Sequence, residues 1–530
     1  MLSRRDFIKS ASLAGGALIF HVDKLYAKTP GVQFFALNDF VESHPDAVFV
    51  LLTAVDVKTN SLAITEVGRD LAKTLFVPKD NGVGAYPVGT SVVLKPNITS
   101  WVWDIPPREQ TMGIQTDPYF VEGIIKSLGD LDIASKNIYI REANYVSTAA
   151  DGKWYSDLAG RSGINLKDFP TIDSILPEEV QWVDVPTGLW YKRIPYLAPV
   201  NSFGSCLINI AKLKSHSMGM TLCSKNIQGT NARPYVAHCS PWGTTMAGVN
   251  SNDIVPDAFT TIKANYDRHN AAGIPRWDLP GASSGGLWME THSARCLDNN
   301  SAVQPMINII EGVYGREGPF VSGPEDNNGY ARDIMTNIVI FGKNARHVDI
   351  IGTYLAGHEP GNFGFFHLAL ERGLSKYLNP RNIPLYEWNL DGSATPAPLE
   401  NFPRTPIRTL YLQKAGEERY HMVNEPYDYS GTNVVASSHY EKPDVFSIAQ
   451  NFPNPFNPST TIQYYVPRSG AVRLEIFDIR GSIVDVLVDG VVPSGDHVAV
   501  WRSERRASGT YFYRLLYGGF SKTRSMMLVK

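Results

Sequence analysis

The sequence predicts an α/β fold with a mostly parallel sheet flanked by helices and an irregular insertion, followed by a small C-terminal all-β sandwich. Two observations lead to this prediction. Between Ser91 and Leu355, apolar runs of strand length alternate with helical patterns, as in parallel sheets with crossover helices. After residue 447 the pattern changes to short alternating runs separated by turns, which is typical of a small Ig-like antiparallel sandwich.

The first β-α-β unit shows how the elements are recognised. Ser91–Asn97 is a short apolar run that ends at a proline, as buried strands do. Asp117 and Pro118 are suited to the N-cap and first position of a helix, and Asn137–Ala143 returns as a strand. Three further strands and one helix follow in the same way: Ser205–Ala211, Met306–Ile310, Asn337–Phe341 and the helical Ala345–Leu355.

The remaining segments complete the predicted domain organisation. Residues 231–300 lack clear periodicity and are predicted to form an irregular insertion that covers a cleft as a lid or wall. Four side chains in this insertion are able to supply ligands: His238, Cys239, His292 and Cys296. The organisation is a processing segment, an α/β domain, a connecting segment and a β-sandwich: 1–29, 30–395, 396–446 and 447–530.

Composition and charge restrict the class of protein. A chain of 530 residues is too long for one core. A net charge of −3 gives no basic surface for nucleic acid, and no apolar run is long enough for a transmembrane anchor. The four cysteines form no C-x-x-C pair, so an iron–sulfur cluster is not expected in this chain. Their pairing stays open, except that Cys206 lies in an apolar run typical of a buried thiol.

Ionisable residues follow successive predicted strands, which is where ligands bind in open parallel sheets. Lysines at these positions would make a cationic cleft for carboxylate or phosphate oxygens, and the acidic residues offer hard metal ligands or a general base. We predict that these residues share one cleft. The predicted catalytic residues are His216, Lys214 and Glu142; the predicted ligand-binding residues are Lys95, Asn97, Lys212, Thr221, Lys225, Asn226, Arg316 and Glu317; and the predicted metal ligands are Glu311 and Asp349.

Each of these residues also has a structural interpretation when it is taken alone. A lysine after a strand is commonly a solvated cap, and His216 is compatible with an ordinary buried histidine. Asp349 stands at the start of a predicted helix and would complement the helix dipole there. The functional interpretation therefore depends on the residues coming together.

Several of these motifs occur in the order of a known family over roughly residues 45 to 390: Val93–Asn97, Thr116–Pro118, Ile210–His216, Lys225-Asn226, Glu311–Pro319 and Val348-Asp349. This part of the chain resembles the family called domain of unknown function 362. The resemblance implies a fold and a site at these motifs, but no established reaction. Some relatives carry a ferredoxin-like segment, for which this chain lacks the cysteines.

Both ends of the chain carry features of export. Arg4, Arg5 and Lys9 precede the apolar run Ala11–Phe20, with small residues before a cleavage position at Ala27. This segment resembles a twin-arginine signal. Residues 451–458 read Asn-Phe-Pro-Asn-Pro-Phe-Asn-Pro, and with the following strands they resemble a type IX secretion sorting domain. The resemblances imply the twin-arginine translocase and the type IX machinery as partners, and a location at the outer-membrane surface or outside the cell.

Two functions are compatible with these residues. The first is an enzyme that acts on a small anionic or metal-chelating substrate, with a metal ion as a candidate cofactor. The second is a non-catalytic surface protein that binds an anionic ligand or polymer. The sequence alone does not decide between them, because it contains no nucleophile elbow, metalloprotease motif or phosphate-binding loop.

Overall fold

The computed structural model divides the chain into two compact units, Met1–Val434 and Val435–Lys530. The predicted processing segment, residues 1–29, lies outside the described residues. The described residues are 33–80, 85–99, 108–202, 204–216, 219–236, 248–274, 285–318, 323–325, 331–411, 418–430, 447–466, 470–492, 495–503, 506–517 and 520–529.

The α-helices of the described residues all lie in the first unit. None of them is long and apolar enough to cross a membrane. Their bounds are α1 (Asp39–Ser43), α2 (Ser61–Leu75), α3 (Arg108–Thr111), α4 (Pro118–Asp130), α5 (Lys153–Ser162), α6 (Cys223–Asn226), α7 (Ala258–Ala271), α8 (Gly285–Ala302), α9 (Ala345–Leu355) and α10 (Gly364–Glu371).

The strands are distributed over both units. Those of the first unit are β1 (Phe34–Leu37), β2 (Val48–Leu52), β3 (Phe76–Lys79), β4 (Tyr86–Pro87), β5 (Val92–Pro96), β6 (Ile138–Ile140), β7 (Val180–Asp184), β8 (Arg193–Leu197), β9 (Cys206–His216), β10 (Gly219–Thr221), β11 (Ile307–Arg316), β12 (Asp333–Gly342), β13 (Leu385–Trp388) and β14 (Ala394–Pro396). Those of the second unit are β15 (Ser447–Ile448), β16 (Ser459–Val466), β17 (Gly470–Asp478), β18 (Ile483–Val492), β19 (Gly495–Arg502), β20 (Gly509–Tyr517) and β21 (Phe520–Leu528).

A large mixed sheet forms the centre of the first unit. Its strand order is β14-β13-β2-β12-β11-β9-β5-β6, and β10 pairs with β9. The strands β13, β2, β11, β9, β5 and β6 run in one direction, whereas β12, β14 and β10 run in the opposite direction. The predicted α/β class with a mostly parallel sheet is confirmed.

Helices cover both faces of this sheet and create two cores. On one face, Leu71 of α2 and Ile124 of α4 pack in the same buried cluster as Leu94 of β5. On the other face, Ile351 of α9 packs in a cluster with Leu213 of β9. Every residue of α9 is buried. The sheet is therefore enclosed, which is typical of parallel strands with near-continuous apolar sequences.

The longest central strand, β9, extends past its neighbour β5. The last residue of β5, Pro96, pairs with Ile210, and β9 continues for six residues to His216. Near that end, Lys214 pairs with Arg316 of β11 on one side and with Thr221 of β10 on the other. The carboxyl end of β9 thus remains inside the sheet, and its polar side chains become buried.

The segment 231–300 is more regular than its sequence suggested, because it contains α7 and α8. The reason is visible in α8, whose buried side chains are mostly polar. Glu290, His292, Arg295 and Asp298 are all at most 5 % exposed. A helix whose buried face is polar has no apolar period of 3.6 residues, so the usual sequence signal is missing.

The second unit contains two antiparallel sheets, with strand orders β15-β16-β19 and β18-β17-β20-β21. One buried cluster joins them, with Ile462 and Trp501 from the first sheet and Leu474 and Tyr513 from the second. The predicted C-terminal all-β sandwich is confirmed. Side chains of β19 alternate between the two faces of the strand, as expected, but Val498 and Val500 lie on the face that is exposed to solvent.

A close approach between α2 and α4 at Gly123 generates a stability prediction. A Cβ atom added at Gly123 would lie 2.1 Å from the Thr65 carbonyl oxygen and 2.6 Å from the Arg69 nitrogen. We expect Gly123→Ala to destabilise the first unit by about 1–3 kcal/mol through overpacking. The measurement is the urea unfolding midpoint by far-ultraviolet circular dichroism.

The matched control is Gly129→Ala in the same helix, where an added Cβ meets nothing within 4 Å. It should leave the stability unchanged or raise it by roughly 0.5–1 kcal/mol. Equal unfolding midpoints for the two variants would show that the helices do not approach each other at Gly123.

Candidate functional site

Two buried lysine–glutamate pairs lie at the carboxyl edge of the central sheet. Lys95 Nζ donates to Glu142 Oε2 over 2.7 Å, and Lys212 Nζ donates to Glu311 Oε2 over 2.7 Å. None of the four side chains is more than 3 % exposed. Burial lowers the pKa of both lysines, and the paired carboxylates act against this shift. Each lysine therefore depends on its glutamate to remain charged.

The two pairs lie on opposite faces of the sheet. Leu94 and Ile210 belong to the core formed with α2 and α4. Side chains alternate along a strand, so Lys95 points to the opposite face, whereas Lys212 points to the same face as Ile210. The carboxyl edge of the sheet thus carries one lysine–glutamate ion pair on each face of the sheet.

Asn226 connects the residues around Lys95. Its Oδ1 accepts hydrogen bonds from Lys95 Nζ over 3.1 Å and from Asn97 Nδ2 over 3.3 Å. Its Nδ2 donates to the Lys95 carbonyl and to Asn209 Oδ1, over 2.8 Å in each case. The predicted ligand-binding residues Lys95, Asn97 and Asn226 are therefore brought together, in a network that orients them.

The carboxylate of Glu142 is held firmly in this network. Besides Lys95, the backbone N–H of Asn144 donates to Oε1 over 3.1 Å and that of Ile98 to Oε2 over 3.4 Å. Gly229 packs directly on this group, since a Cβ there would lie 2.4 Å from Glu142 Oε1. This geometry fits an anchoring carboxylate, and the catalytic role predicted for Glu142 stays a prediction.

The pair on the other face is fixed by the start of α4. Glu311 accepts hydrogen bonds from the backbone N–H groups of Asp117, over 3.1 Å, and Val313, over 3.2 Å. Lys212 Nζ lies 3.3 Å from the centre of the Tyr314 ring, whose hydroxyl donates to Asp117 Oδ2 over 2.6 Å. Burial raises the pKa of Glu311, and Lys212 opposes that shift.

Lys214 is buried in a different environment. Its Nζ donates to the Ile114 carbonyl over 2.6 Å. Burial lowers its pKa well below the ordinary value, and the positive charges of Lys225 and Arg316 add to the shift. A neutral amine is favoured, and such a group is able to accept a proton.

Two predicted ligand-binding residues have buried oxygens with unmet hydrogen-bonding capacity. Within the described part of the chain, Asn97 Oδ1 and Thr221 Oγ1 have no hydrogen-bond partner. Both residues are at most 6 % exposed. Buried polar atoms in folded proteins normally have a partner, so these oxygens are suited to a bound polar group or water.

Arg316 and Glu317 have protein partners instead. Arg316 makes a two-pronged pair with Asp333, with distances of 2.7 and 3.0 Å. Glu317 accepts from Arg332 Nε and Arg408 Nε, over 2.9 Å in each case. These contacts join β11 to β12 and to the segment that follows α10, and the ligand-binding roles predicted for Arg316 and Glu317 stay untested.

Asp349 caps the short helix α6. Its two carboxylate oxygens accept the backbone N–H groups of Cys223 and Ser224, over 2.8 Å in each case. Burial raises its pKa to about 6, and the hydrogen bonds from Ser224 and Cys223 oppose this rise. Asp349 therefore positions the helix that carries Lys225 and Asn226.

Both predicted metal ligands, Glu311 and Asp349, are thus bonded to protein groups. In the residues that the structure describes, no group of three or more His, Cys, Asp and Glu side chains is arranged to hold a metal ion. A metal ion remains a prediction without support from this geometry.

A small cavity of about 40 Å³, open to solvent on one side, lies beside α6 and α8. Lys225 lines it and is half-buried. Among the described residues, Lys225 has no carboxylate or carbonyl within hydrogen-bonding or ion-pair distance. The other polar residues that line the cavity include Ser224, His292, Ser293, Cys296 and Asp349. The apolar residues that line it are Met220, Leu222, Phe363, Phe365 and Phe366.

His216 ends β9 close to this cavity. Its ring lies 6.3 Å from the His292 ring, centre to centre, with an interplanar angle of 12°. Its carbonyl accepts from Thr409 Oγ1 over 2.9 Å. Helix α8 of the predicted lid therefore contributes His292 to the cavity wall, whereas two other candidate ligands of that segment, His238 and Cys239, lie outside the described residues.

A second cleft lies at the end of β6 around Arg141, a residue that has no acidic partner in the described ranges. Its guanidinium lies over the rings of Tyr139 and Phe169, 4.8 and 5.3 Å from their centres. Burial lowers its pKa to about 10. Lys167 and Glu179, which pair with each other, line the same cleft.

Sequence reasoning missed some residues of the network. Asn209 Nδ2 donates to Asn308 Oδ1 over 2.8 Å between neighbouring strands, next to Asn226. The signal was an asparagine in the middle of each apolar run. The aromatic wall Phe363–Phe366 had no such signal, because aromatic residues after a helix usually belong to the core.

One family model matches the chain. Residues 92–354 match the family described as Domain of unknown function (DUF362). The match lies inside the central α/β domain and supports the resemblance drawn there from sequence motifs. No curated protein matches the chain.

The buried Lys95–Glu142 pair generates a prediction. Lys95→Met should destabilise the first unit by about 3–5 kcal/mol, because Glu142 would remain buried without its cation. Replacing both residues, as Lys95→Met with Glu142→Gln, should recover part of this loss. The measurement is the free energy of unfolding in urea.

The control is Lys136→Met, an exposed lysine just before β6, at the opposite end of that strand from Glu142. It should change the stability by less than about 0.5 kcal/mol. If Lys95→Met were as stable as this control, the pair would not contribute to the fold.

Proposed function

We propose that the central α/β domain binds a small organic anion in the cavity beside α6 and α8. The observation that carries the proposal is Lys225, a half-buried cation that lines the cavity and has no acidic partner among the described residues. Lys95 and Lys212 are neutralised by glutamates, so Lys225 supplies the uncompensated positive charge. A carboxylate or phosphate group is its natural counter-ion.

The walls of the cavity define the rest of the ligand. One wall is apolar and does not suit a fully polar metabolite. It is formed by Phe363, Phe365 and Phe366, with Met220 and Leu222. Ligand sites combine such walls with a few placed polar groups. The enclosed space is about 40 Å³, which admits the charged group of a ligand, while the body of the ligand lies in the open part of the cavity against the aromatic wall. The favoured ligand is therefore an anion with an aromatic or aliphatic body.

An enzyme is the function that we propose first, acting on this anion. The support is Lys214 near the end of β9, whose Nζ donates to the Ile114 carbonyl and whose pKa is lowered well below its ordinary value by burial. Lys214 itself does not line the cavity. Buried groups with strongly shifted pKa values are frequent at catalytic sites. The role of Lys214 as a base, with His216, continues the sequence-based prediction.

The alternative is a non-catalytic surface protein that captures an anionic ligand. Elemental analysis and an absorption spectrum of protein purified from the native host discriminate between the two. A stoichiometric metal or chromophore favours the enzyme, whereas a colourless, metal-free protein that binds anions but turns over no ester favours the binding protein.

We further propose that the protein is exported in two steps, by the twin-arginine translocase and then by the type IX machinery. The support is the signal-like sequence of residues 1–29 and the sandwich at the other end, which has its own core. In this organisation residues 30–395 act on the ligand, 396–446 connect and 447–530 direct sorting. The place of action is the cell surface or the medium.

The ligand proposal predicts that Lys225→Met weakens anion binding. Binding of phenyl phosphate and benzoate, measured by calorimetry, should weaken roughly tenfold or more, because a charge-assisted hydrogen bond is lost. Phenol, which carries no charge at neutral pH, should bind equally to both proteins.

Lys136→Met serves as the control for removing a lysine, since that side chain is exposed and distant along β6 from the site. Its affinities should equal those of the unmodified protein. Failure of both anions to bind the unmodified protein, or undiminished binding to Lys225→Met, would refute the proposed site.

The export proposal predicts that removal of residues 447–530 leaves the α/β domain folded but trapped in the periplasm. The sandwich has a separate core, so the first unit should keep its structure without it. Cell fractionation and immunoblotting measure the location. Replacing Arg4 and Arg5 by lysine should instead hold the precursor in the cytoplasm. Truncated protein at the cell surface, or an unfolded truncated protein, would contradict this proposal.

A further inference from the structure

A cysteine and a histidine of α8 meet in the wall of the proposed anion cavity. His292 and Cys296 are four residues apart, so they lie on the same face of the helix. Cys296 Sγ and His292 Nε2 are 3.5 Å apart. Both side chains line the cavity that contains Lys225. A thiol, an imidazole and an ammonium group thus border one space.

Gln228 completes this arrangement from another element. Its Nε2 donates to Cys296 Sγ, while its Oε1 is buried and has no partner within the described part of the chain. An amide N–H group beside a sulfur nucleophile is placed to stabilise negative charge on an oxygen bonded to the attacked carbon. A nucleophile and a base hence border the cavity, and an amide donor contacts the nucleophile.

The other described cysteines have different surroundings. Cys206 is buried beside Met306, and burial raises its pKa to about 12. Cys223 is buried, and its pKa is raised well above the ordinary value by burial and then by Asp349. Cys206, Cys223 and Cys296 are all buried and none of them forms a disulfide, which confirms Cys206 as a buried thiol. Of these three described cysteines, Cys296 is the one that contacts a histidine and lines this cavity.

We propose that Cys296 is a nucleophile, with His292 as its base, and that it accepts an acyl group from an ester of the organic anion bound at Lys225. This inference rests on the proposed anion site. It assigns a reaction class, acyl transfer, to the same cavity. The substrate is a carboxylic ester that carries a separate carboxylate or phosphate group.

The reaction proceeds in two balanced steps. Cys296 Sγ bonds to the carbonyl carbon as its proton passes to His292 Nε2, and Gln228 donates to the developing oxyanion. The bond from carbon to the ester oxygen then breaks, and the imidazolium returns the proton to the departing alkoxide. The products are a thioester on Cys296 and an alcohol. Water then attacks the thioester and releases the carboxylic acid and the thiol.

The neighbouring titratable groups set the protonation of this pair. In the described structure, Lys225 from α6 and Asp349 from α9 line the cavity beside this pair. The His216 ring at the end of β9 lies 6.3 Å from the His292 ring, and Tyr191 interacts electrostatically with Cys296 and Arg295. Lys225 favours the thiolate, whereas the Asp349 carboxylate opposes it. The pH profile of the reaction therefore depends on all of these ionisable side chains and not on Cys296 and His292 alone.

The test is the alkylation of the full-length protein by bromoacetamide and bromoacetate, with labelling of each cysteine followed by mass spectrometry. We expect Cys296 to react at pH 7 at least about tenfold faster than Cys206 or Cys223, because a paired histidine raises the thiolate fraction. His292→Gln should slow this reaction about tenfold and move its pH midpoint upward, because the thiol loses its base. Protected Cys206 and Cys223 in each variant show that the fold is intact.

The two reagents separate this inference from the anion site. Lys225→Met should reduce the rate with bromoacetate relative to bromoacetamide, because only the former is anionic. If this ratio is unchanged while Cys296 still reacts in a His292-dependent way, the anion site is wrong and the nucleophile stands. If Cys296 reacts no faster than Cys206, the nucleophile is wrong, whatever the effect of Lys225.

The acyl step is tested with p-nitrophenyl acetate. An acetyl group should accumulate on Cys296 with a burst of nitrophenol, and Cys296→Ser should abolish the burst. A protein that is alkylated at Cys296 by bromoacetamide but never acylated by the ester would overturn the assignment of acyl transfer.

Discussion

A charged side chain that leaves water must meet an opposite charge or a full set of hydrogen-bond partners, and this requirement organises the carboxyl edge of the central sheet. Lys95 and Lys212 are completely buried, and each meets one glutamate. Those glutamates in turn accept backbone N–H groups from the loop after β5 and from the start of α4. The positions of strands, loop and helix are therefore coupled through two ion pairs.

The same requirement explains why the carboxyl edge of the sheet is not broadly basic. The sequence places several lysines at the strand ends, but the fold neutralises two of them and favours the uncharged form of Lys214. Of these lysines, Lys225 lines the cavity, and Asp349 positions it by capping α6. A cavity with one cation and an aromatic wall suits a small organic anion better than an anionic polymer.

Helix α8 shows how much of the site comes from residues that carry no recognisable pattern. The helix lies in the sequence segment that was expected to be irregular, and most of its buried side chains are polar. Two of them, His292 and Cys296, line the cavity. Asp298 of the same helix accepts three backbone N–H groups, from Leu189, Trp190 and Tyr191. A polar helix of this kind is specified by its partners, which lie far away in the chain.

The sequence by itself determined the elements whose signals are local. The cap at Asp117, the bounds Ala345–Leu355, the apolar runs of β5 and β9, and the alternation in the C-terminal sandwich all follow from spacing over a few residues. Local spacing also predicted that polar residues would gather at one sheet edge, as Lys95, Asn97 and Asn226 do.

Only the tertiary structure decided which of those polar residues have protein partners and which face the cavity. Arg316 and Glu317 are bound by Asp333 and Arg408, and the reversed strand β12 and the outward face of Val498 likewise follow from neighbours that are remote in sequence. The physical reason is that burial, pairing and pKa depend on groups brought close by folding. Residue type and spacing along the chain do not carry that information.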